Sequence, residues 1–147
     1  MYGSESWTDT GTTIHKLEVA DMKVLRLISG VSRRDQWEDE ISNEAIRRDL
    51  GINSIEEVAR QARLRWYGHV SRMDNGRIPK ALLDATLECR RGRGRPRRKW
   101  IDAVGNDLDC RDISWEEARD CVKNRAKWRQ IVYDKVSVDA ERHNTIG

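Results

Sequence analysis

Phenylalanine is absent from the 147 residues, proline occurs twice and cysteine three times. Without Phe, the six tryptophans must supply the large apolar anchors of any core. Cys89, Cys110 and Cys121 are odd in number and widely spaced. That argues against a disulfide scaffold and points to a reducing intracellular setting, nuclear or cytoplasmic. No run of about 18 apolar residues occurs, so neither a transmembrane span nor a membrane partner is expected. Met1 to Thr13 is polar and acidic, unlike a secretory signal. No adjacent Asp-Asp pair exists anywhere. Among Cys89, Cys110, Cys121, His69 and His143 there is no Cys-x-x-Cys and no close Cys/His pair, so neither a metal nor a cofactor is expected. No serine or cysteine sits in a recognisable nucleophile–base pattern.

What the chain does have is charge. Charged residues make up 36% and hydrophobic residues 37%, against about 25% and 45–50% in ordinary globular chains. A thin core bounded by small amphipathic helices follows. The net charge is only +3, from 28 basic and 25 acidic residues. Residues 90–99, RRGRGRPRRK, hold seven of those cations and no acid, leaving 21 basic against 25 acidic residues elsewhere. A second acid-free stretch, Val58 to Met73, contains Arg60, Arg63, Arg65, His69 and Arg72. Two cationic patches on an acidic body point to a polyanion, most simply RNA or DNA through its phosphate backbone. The second stretch reads equally well as a solvated helix face.

The periodicity is helical throughout, and the expected fold is all-α: five to six short helices with a basic extended linker. Ile14, Leu17, Asp21/Met22, Leu25 and Ile28 give a helix over about 14–29, with Gly30 as its C′ glycine. Ser42 caps a helix over 43–50 that turns Ile46 and Leu50 inward and stops at Gly51. Ser54 with Glu57 forms a capping box for 55–72, whose inward stripe is Ile55, Val58, Ala59, Ala62, Trp66 and Val70. Asp74-Asn75-Gly76 is a turn, and Pro79 opens a helix over 79–87. Gly92, Gly94 and Pro96 break any helix in the basic run, which reads as a linker over 89–99. Beyond it, Trp100, Val104 and Leu108 start one helix, and Ser114 with Glu117 opens another over about 115–135. The face of that last helix is Ala118, Cys121, Val122, Arg125, Trp128 and Val132. The expected organisation is a helical region 1–88, the linker, a helical pair 100–136 and a disordered tail 137–147.

Several motifs then occur in a fixed order. They are Tyr2-Gly3-Ser4-Glu5 with Trp7; Leu17-Glu18-Val19, Met22 and Leu25-Arg26; Gly30; and Arg34-Asp35. Asn43-Glu44 with Ile46-Arg47 and Arg63-Leu64-Arg65-Trp66 follow, the latter running into Gly68-His69-Val70 and Arg72-Met73. Gly94-Arg95-Pro96, Trp100 with Asp102, and Arg125 with Trp128-Arg129 complete the set. Together, over about residues 2–133, they resemble the C-terminal tail of non-LTR (LINE-type) retrotransposon reverse transcriptases, beyond the polymerase core. The resemblance implies an origin in proteins that carry an endonuclease and an RNA-directed DNA polymerase, and that copy element RNA at a nicked target. Such a polymerase needs metal-binding aspartates, including an adjacent pair, and this chain has no such pair. A non-catalytic fragment is therefore expected, with other parts of a reverse transcriptase as a further partner. Family members usually carry Asp before the late arginine, where this chain has Asn124.

Within the basic run, Arg90, Arg91, Arg93, Arg95, Arg97, Arg98 and Lys99 are the candidate phosphate contacts, with Gly94 and Pro96 shaping the backbone between them. Arg93-Gly94-Arg95-Pro96 also resembles the core of the AT-hook, a minor-groove peptide. A nuclear-import signal or a solvated linker would be written in the same letters. In Arg65-Trp66-Tyr67-Gly68-His69-Val70 the aromatics could stack on bases; core positions for Trp66 and Val70, with Tyr67 half-buried, are the simpler reading. Leu50-Gly51-Ile52-Asn53-Ser54 faintly mimics a helix-turn-helix, which would make the Arg60–Arg65 face a groove reader. Two functions compete: a nucleic-acid-binding accessory module, and a helical interaction remnant exposing an apolar patch around Trp66, Trp100 or Trp128.

Overall fold

The computed structural model describes residues 3–6, 11–85 and 99–133. A 3-10 turn at Ser4–Ser6 precedes eight α-helices: α1 (Gly11–Ser29), α2 (Arg33–Glu38), α3 (Asn43–Asp49), α4 (Ile55–Ser71), α5 (Ile78–Asp84), α6 (Trp100–Asp109), α7 (Trp115–Lys123) and α8 (Arg125–Tyr133). There is no strand among the described residues, and the chain is all-α as expected.

Short polar side chains set the helix starts. Ser42 Oγ accepts from Ala45 N at 3.0 Å and Ser54 Oγ from Glu57 N at 3.2 Å. At Ser114 the box is reciprocal: Glu117 N donates to Ser114 Oγ, and Glu117 Oε2 accepts from Ser114 N at 3.0 Å and Oγ at 2.9 Å. These bonds hold the Glu117 carboxyl below its ordinary value, the backbone bond contributing most. Gly30 and Gly51, at φ +69° and +66°, follow α1 and α3 in the left-handed region that glycine enters without strain.

Helix α1 starts three residues early and α5 spans Ile78–Asp84, and two larger differences from the sequence reading stand out. Helix α2 has no buried residue, so no apolar period announces it; its sign is the Ser32/Asp35 capping box, closed by Ser32 N to Asp35 Oδ2 at 2.8 Å. The single helix expected over 115–135 is two. Asn124 leaves helical geometry (φ −100°, ψ 108°), and its Oδ1 accepts from Ala126 N at 3.0 Å and Lys127 N at 3.2 Å, capping α8. The apolar rhythm stays in phase across this joint, which is why the pattern reads as continuous. Arg125 accordingly lies exposed at the start of α8, not on an inward face. Asn124→Ala should cost about 1 kcal/mol of stability, whereas Asn124→Asp, an equally good cap, should cost nothing; urea unfolding of both variants tests this.

The chain divides into two compact units between Ala62 and Arg63, within α4, and not at the basic run. In the first, Met22, Leu25 and Ile46 form a core with Val31, Ile41 and Leu50 against it. Arg47, almost buried, places Nη1 2.7 Å from Asp21 Oδ2 and donates to Asn53 O at 3.2 Å. One guanidinium thus ties α3 to α1 and to the loop before α4. Gln36 joins α2 to the same unit, accepting from Arg26 and donating to Ile41 O and Asn43 Oδ1.

In the second unit, Leu64, Tyr67, Val104, Leu108, Ala118, Cys121, Val122, Trp128 and Val132 form one core, with Leu83, Trp100, Ile101 and Trp115 partly buried against it. Residues on both sides of the basic run therefore share a core. The aromatic that α4 buries is Tyr67, at 4% exposure, and not Trp66, which is 36% exposed. Successive helical residues point about 100° apart, and here Tyr67 faces the core while Trp66 turns toward its edge. Trp128 packs over Gly68 and donates Nε1–H to Leu64 O at 3.0 Å.

Candidate nucleic-acid interface

The arginines sort into two groups. Some are absorbed into the scaffold. Arg63, expected to meet phosphate, is buried and makes a fork-on-fork pair with Asp107: Nε to Oδ2 at 2.7 Å and Nη2 to Oδ1 at 3.0 Å. Arg60 reaches Glu57 at 2.7 Å and Glu56 at 3.2 Å along its own helix. Both are corrections to the sequence reading. A guanidinium already satisfied by carboxylates has little to offer a phosphate, and Arg63 is only 6% exposed. On the Arg60–Arg65 face of the helix-turn-helix alternative these pairings leave Arg65 exposed. Arg111, buried, donates to Val132 O at 3.2 Å and so reaches the end of α8.

The second group faces water. Arg65 is exposed, its Nη1 3.5 Å from Tyr133 Oη. His69, one turn on, is exposed, with its ring 5.5 Å from that of Trp66. Arg72, just past α4, is intermediate: one N–H donates to Val122 O at 3.0 Å, which ties it to α7. Burial, and then the nearby Arg125 charge, hold its guanidinium below the ordinary arginine value. Arg125 and Arg129 on α8 are exposed, and neither they, Arg65 nor Arg72 pairs with a carboxylate among the described residues. Lys99 is exposed at the start of α6, where its N–H donates to Asp102 Oδ2 at 2.9 Å. Arg90, Arg91, Arg93, Gly94, Arg95, Pro96, Arg97 and Arg98 lie outside the described residues, as do 137–147.

Sequence reasoning missed the contribution of α8. Arg125, Arg129 and Tyr133 recur at steps of four, the spacing of one helix face. Counting Arg125 on the inward face of a single 115–135 helix conceals that signal.

The apolar surface also differs from expectation. Trp128 is 3% exposed and Trp100 is partly buried, so neither offers a patch. Trp66 is 36% exposed, and other exposed apolar side chains include Val24, Leu27 and Ile28 on α1, the last two at 82% and 62%, and Trp37 on α2 at 83%. No helix among the described residues is long and apolar enough to cross a membrane.

No family model matches the chain, and no solved structure does. Among curated proteins it is similar to an uncharacterised transposon-derived protein of Caenorhabditis elegans, 24% identical over 135 residues, which cover 89% of this chain and 48% of that protein. The chain spans about half the length of that relative, and the similarity supports a transposon origin.

Proposed function

We propose that this chain is a non-catalytic nucleic-acid-binding accessory module, derived from a non-LTR retrotransposon reverse transcriptase, that holds RNA or DNA by its phosphate backbone in the nucleus or cytoplasm. The observation that carries the proposal is the density of charge in 90–99: seven cations and no acid in ten residues. Like charges at that density repel one another unless a polyanion neutralises them. Arg60 and Arg63 pair with carboxylates of the chain itself, so the reading rests on the basic run, the densest group of cations in the sequence.

The test is ionic strength. Each neutralised phosphate contributes about 0.7–0.9 to the slope of log K against log salt. Arg93→Ala, Arg95→Ala and Arg97→Ala together should therefore flatten the slope by about two to three units. An unchanged slope would remove the run from the contact surface.

One observation favours a second reading, a helical interaction remnant that packs on other parts of a reverse transcriptase. Leu27, Ile28 and Trp37 are exposed well beyond what a polar helix face needs. Self-association insensitive to salt, without nucleic-acid binding, would support that reading instead.

A further inference from the structure

The outer edge of the second unit carries a cationic row built from two helices. On α4 and just past it, Arg65, His69 and Arg72 follow one another at steps of four and three. On α8, Arg125, Arg129 and Tyr133 follow one another at steps of four. The rows lie side by side and antiparallel. Arg65 meets Tyr133 at one end, Arg72 senses Arg125 at the other, and Trp128 is fastened over Gly68 between them. Aromatic rings interrupt the charge: Tyr133 is 45% exposed, and Trp66 flanks the row beside His69.

We infer that this α4/α8 ridge is a contact site for single-stranded nucleic acid, with Arg65, Arg72, Arg125 and Arg129 following the backbone while Trp66 and Tyr133 stack on unpaired bases. The inference rests on the nucleic-acid reading above and deepens it by naming the strandedness of the ligand. The argument is complementarity of charge and ring. Four guanidinium groups without carboxylate partners among the described residues form an anion-seeking strip. A duplex would satisfy the charges but leave the rings idle, because its bases present no free face. A single strand uses both, and stacking on an exposed ring tolerates any base. The ridge stands on fixed helices, so its rings and charges are held in register before the ligand arrives.

The experiment uses the whole chain and three labelled probes of equal length: an oligouridine, an oligothymidine, and a DNA duplex. Trp66→Ala should weaken binding of both single strands on the order of tenfold, leaving duplex affinity and every salt slope unchanged. Trp66→Phe should restore most of the loss, which a folding defect would not allow. Arg125→Ala with Arg129→Ala should flatten the single-strand slope by about 1.4, on the ~0.7 per phosphate seen with single strands. Equal losses on duplex and single strands with Trp66→Ala would overturn the stacking assignment. Unchanged slopes in the arginine pair would overturn the ridge. If the ridge variants bind normally while the 93/95/97 variant fails, the ridge falls and the nucleic-acid reading stands. If the unaltered chain binds none of the probes, both fall.

Discussion

Gly68→Ala is expected to destabilise the second unit by about 3 kcal/mol, although alanine is the better helix former by about 1 kcal/mol. A Cβ at this position would enter the Trp128 indole, 2.5 Å from Cδ1 and closer still to Nε1. The indole is buried and hydrogen-bonded to Leu64 O, so it cannot swing away without leaving a polar group unpaired. Overpacking at about 1–3 kcal/mol and a broken buried bond at about 1–3 kcal/mol together outweigh the propensity gain. Gly105 supplies the contrast: its Cβ would lie 3.3 Å from Trp115 Cζ2, on a ring only partly buried. Gly105→Ala should therefore stay within about 1 kcal/mol of neutral, the helix gain offsetting a small ring shift. Thermal unfolding distinguishes the two, with Tm falling by roughly 10–20 °C for Gly68→Ala. Equal stability of both variants would mean that the indole does not lie where the fold requires it.

The second large effect is expected at the Arg63–Asp107 pair. Removing one partner by Asp107→Leu leaves a buried guanidinium without its carboxylate and should cost about 3–5 kcal/mol. Combining Arg63→Met with Asp107→Leu should recover most of that loss, because two apolar side chains then fill the space without a stranded charge. A double-mutant cycle in urea gives the coupling directly. Additive losses would show that the two side chains do not act as a pair. By the same reasoning Arg63 is a poor candidate for a phosphate contact: extracting it from the core would cost more than one exposed ion pair returns.

These two sites show which parts of the chain could be read from its letters. Serine caps are local, and Ser42, Ser54 and Ser114 mark helix starts that the structure places within a residue of expectation. The all-α class followed from periodicity, and the structure bears it out. What failed depended on distant partners. Arg63 and Arg65 are the same residue two positions apart, and only Asp107, 44 residues on, decides that the first is buried. Trp66 falls on the periodic apolar stripe of α4, yet the core of α6, α7 and α8 takes Tyr67 and needs the space of Gly68 for Trp128. Asn124 broke a helix without disturbing its apolar rhythm.

The resemblance in the sequence also takes on a physical meaning. Arg47, Arg63, Leu64, Gly68 and Trp128 belong to the ordered motifs, and in the structure each holds helices together. Arg72 does so through Val122 O. Much of the motif set is thus a record of packing. Among the described residues, the cations without a carboxylate partner include Arg65, Arg125 and Arg129, and the proposed binding is assigned to them together with the basic run.

The most direct test of that division is the affinity of the intact chain for a single-stranded oligonucleotide across a series of salt concentrations. About six or more neutralised phosphates predict a log–log slope of −4 or steeper. A slope near zero, or no binding at low salt, would contradict the claim that these leftover cations grip a polyanion.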